Sequence, residues 1–208
     1  MMLNSVTLVG MDGAGDRPLI TKALNYTMKQ LEFKEVLLLS PSYDYDIEDN
    51  INLINIKKLD YKEWNKFVIK ELYKYINTKH YMFVDIDGFV LNPNKWCDSF
   101  LDYDYIGARW WYNDPHLKYA TSENLECKTN VGNGGFTLRS KKFLEEASKL
   151  TYDGYSPEDA FLCIKSYDKL VSSGIKFAPS DIADKFSTDP YDGKSFGFHG
   201  NKNIVNNL

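Results

Sequence analysis

The 208-residue sequence predicts an α/β protein built on a largely parallel β-sheet with helices packed against it. Short apolar runs alternate with segments that have the apolar spacing of amphipathic helices, which indicates βαβ units. Hydrophobic residues make up 43% of the chain and charged residues 26%, as is usual for a globular protein. The length fits one domain better than two, so we expect a single domain over residues 1–208.

The first half of the chain alternates strand and helix patterns. Residues 6–10 form an apolar run that predicts the first strand, and residues 12–16 follow it as a turn. Asp16 is a suitable N-cap and Pro18 a suitable first-turn residue, so we predict a helix that continues to Leu31. The next predicted elements are strands over residues 36–39 and 51–56, a helix over residues 60–76 and a strand over residues 81–84.

The second half of the chain is less regular. Residues 112–130 lack any periodicity, which predicts a long loop, and loops of that length are usually functional or disordered. The other predicted elements are a short helix over residues 93–101, strands over residues 105–108, 136–138 and 175–178, and helices over residues 140–150 and 158–171.

Two carboxylates, Asp85 and Asp87, follow the apolar run at residues 81–84, and Gly88 allows the chain to turn there. In open α/β sheets, ligands bind beyond the carboxyl ends of the strands, so this pair lies where a ligand would bind. Neighbouring carboxylates repel each other unless a positive charge lies between them, and a divalent cation that also holds substrate phosphates commonly provides it. The same pattern also fits two solvated acids at a turn.

Two further patterns could contribute to a site. Asn133, Gly134 and Gly135 could bring backbone N–H groups close to a ligand, although they equally fit a hairpin turn. Glu158 and Asp159 open a predicted helix, where carboxylates interact favourably with the helix dipole. A carboxylate at this point could instead act as the general base towards an acceptor hydroxyl.

The remaining candidates are a histidine and a tryptophan pair. His199 lies between aromatic and glycine residues in a polar C-terminal segment. A lone histidine is usually structural, but imidazole is also an acceptable ligand for Mn²⁺. Trp110 and Trp111 follow Arg109 and could stack on the C–H face of a sugar, although tryptophans commonly pack in protein cores.

Taken in chain order, these residues resemble the motifs of a GT-A-type nucleotide-sugar glycosyltransferase. Residues 85–87 resemble the D-x-D motif, and residues 133–139 resemble the glycine-rich loop on the acceptor side. Glu158 and Asp159 resemble the x-E-D motif, in which the aspartate is usually the base of inverting enzymes. His199 resembles the late histidine that completes the metal site. The resemblance implies a Rossmann-type mixed sheet flanked by helices.

Almost the whole chain resembles, more closely, a mostly bacterial and viral family of short GT-A-like proteins catalogued as a domain of unknown function. Members of this family often carry a non-acidic residue at the position of Asp85, so the resemblance implies a metal role for Asp87 more than for Asp85. The matching stretches are residues 23–30, 96–111, 131–140, 157–159 and 196–200.

The resemblance implies transfer of a sugar from a nucleotide-diphosphate sugar to a glycan or other hydroxyl acceptor, with inversion. Asp159 and Glu158 would be the catalytic residues. Mn²⁺ or Mg²⁺ would be held by Asp85, Asp87 and His199. The donor would be bound by Val9, Gly10, Asp12, Asp85, Ile86 and Asp87. The sugar and the acceptor would be bound by Trp110, Trp111, Asn133, Gly134 and Gly135.

The composition disfavours several other classes of protein. The formal net charge is −4 and Lys and Arg form no cluster in the sequence, so we do not expect a nucleic-acid partner. Three scattered cysteines without C-x-x-C spacing suggest neither a zinc site nor a disulfide framework. No apolar stretch approaches the length of a transmembrane helix and no signal peptide is apparent, so we expect a cytoplasmic protein.

Three alternative functions remain open. Residues 83–88 also resemble the first motif of haloacid-dehalogenase-type phosphatases, but Phe89 stands where that motif has threonine, and no G-D-x-x-x-D follows downstream. A non-catalytic module that binds nucleotide sugars or glycans would use the same pocket without a competent base. A phage-type enzyme that glycosylates modified DNA bases is disfavoured by the acidic net charge.

Overall fold

The fold is a mixed β-sheet flanked by helices, in a computed structural model that describes residues 1–15, 19–42, 47–110 and 129–206. The strands of the main sheet are β1 (Met2–Met11), β2 (Glu32–Ser40), β3 (Asn52–Asn55), β4 (His80–Val84), β5 (Tyr105–Arg109) and β6 (Val131–Ser140). These six strands lie side by side in the order β3-β2-β1-β4-β6-β5. The α/β class and the mixed sheet expected from the sequence are therefore confirmed.

Helices pack on the sheet because successive strand residues point to opposite faces. Leu8 of β1 joins the larger of two apolar clusters, together with residues of α1 (Leu19–Gln30), whereas Val9 joins the smaller cluster with residues of α2 (Tyr61–Lys70). Every helix of the described residues is too short or too polar to span a lipid bilayer. The other helices are α3 (Lys141–Lys149), α4 (Glu158–Ala160), α5 (Tyr167–Ser172), α6 (Ser180–Phe186) and α7 (Lys202–Asn206).

Strand direction places two acidic turns at one edge of the sheet. β1, β2, β3 and β4 run parallel, whereas β6 is antiparallel to both β4 and β5. β1 and β4 are neighbours, and their last registered pair is Gly10 with Val84, so the two strands end close together. Asp12 and Asp85 follow them at the edge where open α/β sheets bind ligands.

The start of α2 is fixed by a capping box. Asp60 Oδ1 accepts a hydrogen bond from the backbone N–H of Glu63 at 2.8 Å, and Glu63 Oε2 accepts one from the backbone N–H of Asp60 at 3.2 Å. The start predicted from the sequence is thus confirmed. The α-helix ends earlier than predicted, at Lys70, and a 3₁₀ turn at Leu72–Lys74 follows it.

Four further predicted elements differ from the structure, and the first is the helix over residues 93–101, which is replaced by 3₁₀ turns at Pro93–Lys95 and Asp98–Asp102. The glycine-rich residues 133–135 lie inside β6, where Asn133 pairs with Ala108 of β5 and the backbone of Gly134 bonds to the side chains of Asp159 and Arg139. The helix predicted over residues 158–171 is interrupted by a π-helical turn at Phe161–Lys165. The strand predicted over residues 175–178 is reduced to a single bridge between Tyr105 and Phe177. The predicted N-cap at residue 16 lies outside the described residues.

An aromatic cluster anchors the C-terminal segment that contains Phe196 and Phe198. β7 (Ser187–Thr188) and β8 (Gly197–Phe198) pair in parallel. The Phe198 ring contacts Phe89 edge to face at 4.8 Å between centroids, and the Phe196 ring contacts Trp96 at 5.4 Å. Buried aromatic rings contribute large apolar areas, so they hold the next residue of the chain, residue 199, in a defined place.

Candidate active site

A cleft of about 350 Å³ opens where β1 and β4 end. Its walls come from the turn after β1, the first turn of α2, the turn after β4 and the residue after β8. All three residues that the sequence suggested as metal ligands therefore line one cleft. The lining residues are Gly13, Ala14, Leu59, Asp60, Tyr61, Trp64, Asp85, Asp87 and His199.

In the turn after β4, the carboxylate of Asp85 bonds to the backbone of the turn, whereas that of Asp87 faces His199. The backbone N–H groups of Asp85 and Gly88 each donate to the other residue's carbonyl, at 2.9 and 3.1 Å. Asp85 Oδ1 accepts the N–H of Ile86 at 2.7 Å, so this oxygen faces the backbone. Gly88 is required by a close approach to β6, since a Cβ there would lie 2.9 Å from the Cβ of Phe136.

His199 lies between two carboxylates, one at each ring nitrogen. Its Nε2 is 3.6 Å from Asp87 Oδ1, and its Nδ1 is 3.4 Å from Asp189 Oδ2. Asp189 Oδ2 also accepts a hydrogen bond from Asn133 Nδ2 at 3.0 Å. A carboxylate on the outer nitrogen commonly orients a metal-binding histidine. Asp189 is thus a residue of the site that the sequence did not indicate.

The electrostatics around His199 favour positive charge. Burial of the ring lowers the pKa of His199, but the hydrogen bond with Asp189 and the charges of Asp87, Asp189 and Asp85 outweigh this effect. The pKa of His199 is therefore raised above its ordinary value. A group of carboxylates that stabilises an imidazolium would also stabilise a bound cation at the same place.

The fit of these residues to a divalent cation is partial. The described residues include no group of three or more His, Cys, Asp and Glu side chains placed to hold a metal ion. Asp87 and His199 form a pair, whereas one carboxylate oxygen of Asp85 faces its own turn. Mg²⁺ is usually held by one or two carboxylates together with substrate phosphates and water. The pair fits that kind of site, and the site with three protein ligands expected from the sequence is not formed.

Gly134 and Gly135 of β6 connect the two halves of the site. The N–H of Gly134 donates to Asp159 Oδ2 at 3.1 Å. A Cβ on Gly135 would lie 1.9 Å from His199 Nε2, so the imidazole packs directly on the glycine. Asp159 is 9% exposed, and its Oδ1 accepts the N–H of Ala160 at 2.7 Å. The candidate base and the candidate metal ligand thus meet adjacent residues of one strand.

Glu158 has quite different surroundings from Asp159. Its two carboxylate oxygens accept hydrogen bonds from Arg139 at 3.0 and 2.8 Å, and both side chains are almost fully buried. Arg139 also stacks over the Tyr105 ring and donates to the carbonyl of Gly134 at 3.3 Å. Burial raises the pKa of the Glu158 carboxyl, and the Arg139 charge partly counteracts the rise. The structure therefore places Glu158 in a buried ion pair with Arg139, so both of its carboxylate oxygens are already occupied.

The donor-binding residues expected in and after β1 precede, in the chain, the residues that line the cleft. Val9 is buried in the smaller apolar cluster, and a Cβ on Gly10 would lie 3.0 Å from the nearest side chain of α1. Asp12 is 1% exposed and accepts a hydrogen bond within its own turn. The next two residues, Gly13 and Ala14, line the cleft. These residues do not line the cleft because β1 continues to Met11, one residue beyond the predicted strand, so the turn at its end lies further along the chain.

The aromatic wall of the cleft also differs from the expectation. Trp110 is 1% exposed and belongs to the larger apolar cluster, so it packs in the core and has no free face for a sugar. Trp111 lies outside the described residues. Ile86 is partly buried against the same cluster. Tyr61 and Trp64 of α2 line the cleft instead.

Solved structures with the same arrangement of strands and helices are GT-A glycosyltransferases, and this chain has their fold. The galactosyltransferase LgtC, in complex with donor and acceptor sugar analogues, aligns with a TM-score of 0.52 and 14% identity, over 87% of this chain and 74% of LgtC. Glucosyl-3-phosphoglycerate synthase from Mycobacterium tuberculosis, in complex with Mn²⁺, UDP and glucosyl-3-phosphoglycerate, aligns with a TM-score of 0.55 and 12% identity, over 95% of this chain and 72% of the synthase. No curated protein sequence matches the chain.

Residues 51–203 match a sequence family described as "Protein of unknown function (DUF5672)". The match covers well over half of the chain, so the protein belongs to this family. It includes every cleft residue except Gly13 and Ala14.

Proposed function

We propose that the protein is a glycosyltransferase that moves a sugar from a nucleotide-diphosphate sugar to an acceptor hydroxyl. The observation that best supports it is the pair of Asp87 and His199 in the cleft, with His199 packed on Gly135 and Asp159 bound to the adjacent Gly134 of β6. A GT-A fold alone would not define the reaction, because function depends on the site and not on the fold.

The donor side of the proposed site uses Asp87 and His199 to hold Mn²⁺ or Mg²⁺ against the diphosphate. When bound, the cation would stabilise the negative charge that develops on the leaving nucleoside diphosphate. Asp189 orients the imidazole through Nδ1, which leaves Nε2 directed towards Asp87. Gly13 and Ala14 carry little side-chain bulk, so the nucleotide can lie against the turn after β1.

The acceptor side of the proposed site depends on Asp159. Its carboxylate would take the proton from the attacking hydroxyl, which is general base catalysis. The N–H of Gly134 fixes one carboxylate oxygen, and the ion pair with Arg139 neutralises the neighbouring Glu158. A base that activates the acceptor directly leads to inversion at the sugar carbon, and this is the outcome that we propose.

The test is release of nucleoside diphosphate from a panel of UDP-, GDP-, ADP- and dTDP-sugars in the presence of Mn²⁺. We expect donors of one base to be turned over and the release to fall to background when a chelator removes the metal. A panel of acceptors is then tested with the donor that is turned over, and we expect a suitable acceptor to increase the rate of nucleoside diphosphate release. Absence of release from every donor would contradict the proposed reaction.

A binding module is the second candidate function, and one observation favours it. Each oxygen of Asp159 accepts a backbone N–H, from Gly134 and from Ala160, so the backbone already engages both oxygens that could receive a proton from an acceptor. A ligand that binds only the folded state raises the melting temperature by mass action. Stabilisation by a nucleotide sugar without release of nucleoside diphosphate would identify a binding module.

A further inference from the structure

A cavity of about 510 Å³ beside α2 is lined by lysine side chains. Lys62, Lys66 and Lys70 recur every four residues, so they lie along one face of α2. Lys149 of α3 and the residues that follow it also line the cavity, namely Leu150, Thr151, Tyr152 and Gly154. The positive groups therefore converge on a concave surface and are not spread over an open helix face.

The charge of this lysine pocket is largely uncompensated. Glu63, the acidic residue of its lining, is engaged elsewhere, since its Oε1 accepts from Lys57 at 2.6 Å. Over the described ranges, no carboxylate lies within ion-pair distance of Lys62, Lys66 or Lys70. Three ammonium groups on one helix face repel one another, so an anion between them would relieve the repulsion.

Lys70 forms the inner end of the lysine pocket. Its ammonium donates to the backbone carbonyl of Ser148 at 2.7 Å, which fixes its position. Burial lowers the pKa of Lys70, and the charge of Lys66 lowers it further. Lys149 is the exception among the four, because it pairs with Glu146 at 2.6 Å. The pocket thus has a fixed inner cation and two exposed ones near its entrance.

The lysine pocket adjoins the cleft at the start of α2. Tyr61 lines the cleft, and the next residue, Lys62, lines the pocket. Asn65 Oδ1 accepts the backbone N–H of Glu158 at 2.6 Å, which ties α2 to the helix that carries the candidate base. From Lys62 to Lys70 the pocket extends about 12 Å along α2, at 1.5 Å per residue. A molecule with its hydroxyl in the cleft could therefore place a second group among the lysines.

We infer that the lysine pocket binds a phosphate ester on the acceptor, so that the transferase takes phosphorylated acceptors in preference to neutral ones. An ammonium group binds phosphate as a point charge, and several of them share one phosphate without strict geometry. That the phosphate belongs to a sugar acceptor rests on the proposed function, whereas binding of the phosphate can be measured without a sugar donor.

The test measures binding without any donor, by calorimetric titration of glycerol phosphate, with glycerol as its neutral counterpart. The Lys62→Gln/Lys66→Gln protein is compared with a Lys22→Gln/Lys29→Gln protein, whose two lysines are exposed on α1. We expect glycerol phosphate to bind the pocket variant about fivefold to tenfold more weakly than the parent. The α1 variant should bind like the parent, and glycerol should not bind.

Vesicles of phosphatidylglycerol form a second arm, which separates a soluble acceptor from a lipid-linked one. If the pocket variant binds only glycerol phosphate more weakly than the parent does, the result supports a soluble acceptor. If it also binds the vesicles more weakly, the result supports a lipid-linked phosphate. Equal binding by parent and pocket variant, or an equal loss in the α1 variant, overturns the inference. Salt-sensitive retention of a DNA duplex that depends on the same lysines also overturns it.

The binding result and the activity result separate the two proposals. If glycerol phosphate binds through Lys62 and Lys66 but no nucleotide sugar is turned over, the pocket stands and the proposed function fails. If a donor is turned over and the pocket variant uses neutral and phosphorylated acceptors as the parent does, the proposed function stands and the acceptor inference fails.

Discussion

Replacing Glu158 by glutamine should lower the free energy of unfolding by about 3–5 kcal/mol. The substitution keeps the size of the side chain but leaves the guanidinium of Arg139 charged and without a counter-ion. Arg139 is 1% exposed, so water cannot replace the lost carboxylate. Urea denaturation followed by circular dichroism measures the change.

A matched surface pair provides the control for this prediction. Glu71 and Lys74 form an ion pair in which both side chains remain substantially exposed, so Glu71→Gln should cost less than about 0.5 kcal/mol. If Glu158→Gln does not fold, an Arg139→Met/Glu158→Met protein should recover stability, since an apolar pair of similar volume can replace a buried ion pair. A Glu158→Gln protein as stable as the parent would mean that the buried pair contributes nothing to the fold.

Replacing Asp159 by asparagine should lower the rate of sugar transfer by about 10²- to 10⁴-fold, the usual contribution of a general base. The amide oxygen can still accept one of the two backbone hydrogen bonds that Asp159 accepts, whereas the second is lost. The melting temperature of the variant is therefore measured alongside its activity. The measurement is kcat for transfer, at saturating donor and acceptor.

Two comparisons keep the Asp159 result interpretable. Asp168→Asn changes an exposed acid of α5 and should transfer sugar like the parent. Thermal stabilisation by the donor should be the same in Asp159→Asn and in the parent, because Asp159 is proposed to act on the acceptor. Transfer at the parental rate by Asp159→Asn would remove Asp159 from the role of base.

The sheet and the position of Asp85 and Asp87 at a strand end could be predicted because local patterns encode them. An apolar run that ends in Asp85 and Asp87 predicts both a buried strand and acidic groups at its carboxyl end. Asp60, three residues before Glu63, predicts the start of α2. These features depend on residues close together in the sequence, so they need no knowledge of tertiary contacts.

Features that depend on distant residues could not be read from the sequence. Asp189 is identified only by its contacts with His199 and Asn133, and no spacing pattern links these three positions. The glycine pair of β6 looks like a turn until its pairing with β5 is known. Trp110 looked like a sugar platform, whereas packing against Gly132 buries it in the core.

The central claim is that Asp87 and His199 hold one divalent cation in the cleft. Its most direct test is titration of Mn²⁺ by electron paramagnetic resonance, with the nucleoside diphosphate that the donor screen selects. Asp87→Asn and His199→Gln are compared with Asp181→Asn, an exposed acid of α6. We predict that the first two variants bind Mn²⁺ about tenfold more weakly or worse, and that Asp181→Asn binds it like the parent. Unchanged Mn²⁺ affinity in both Asp87→Asn and His199→Gln would contradict the account.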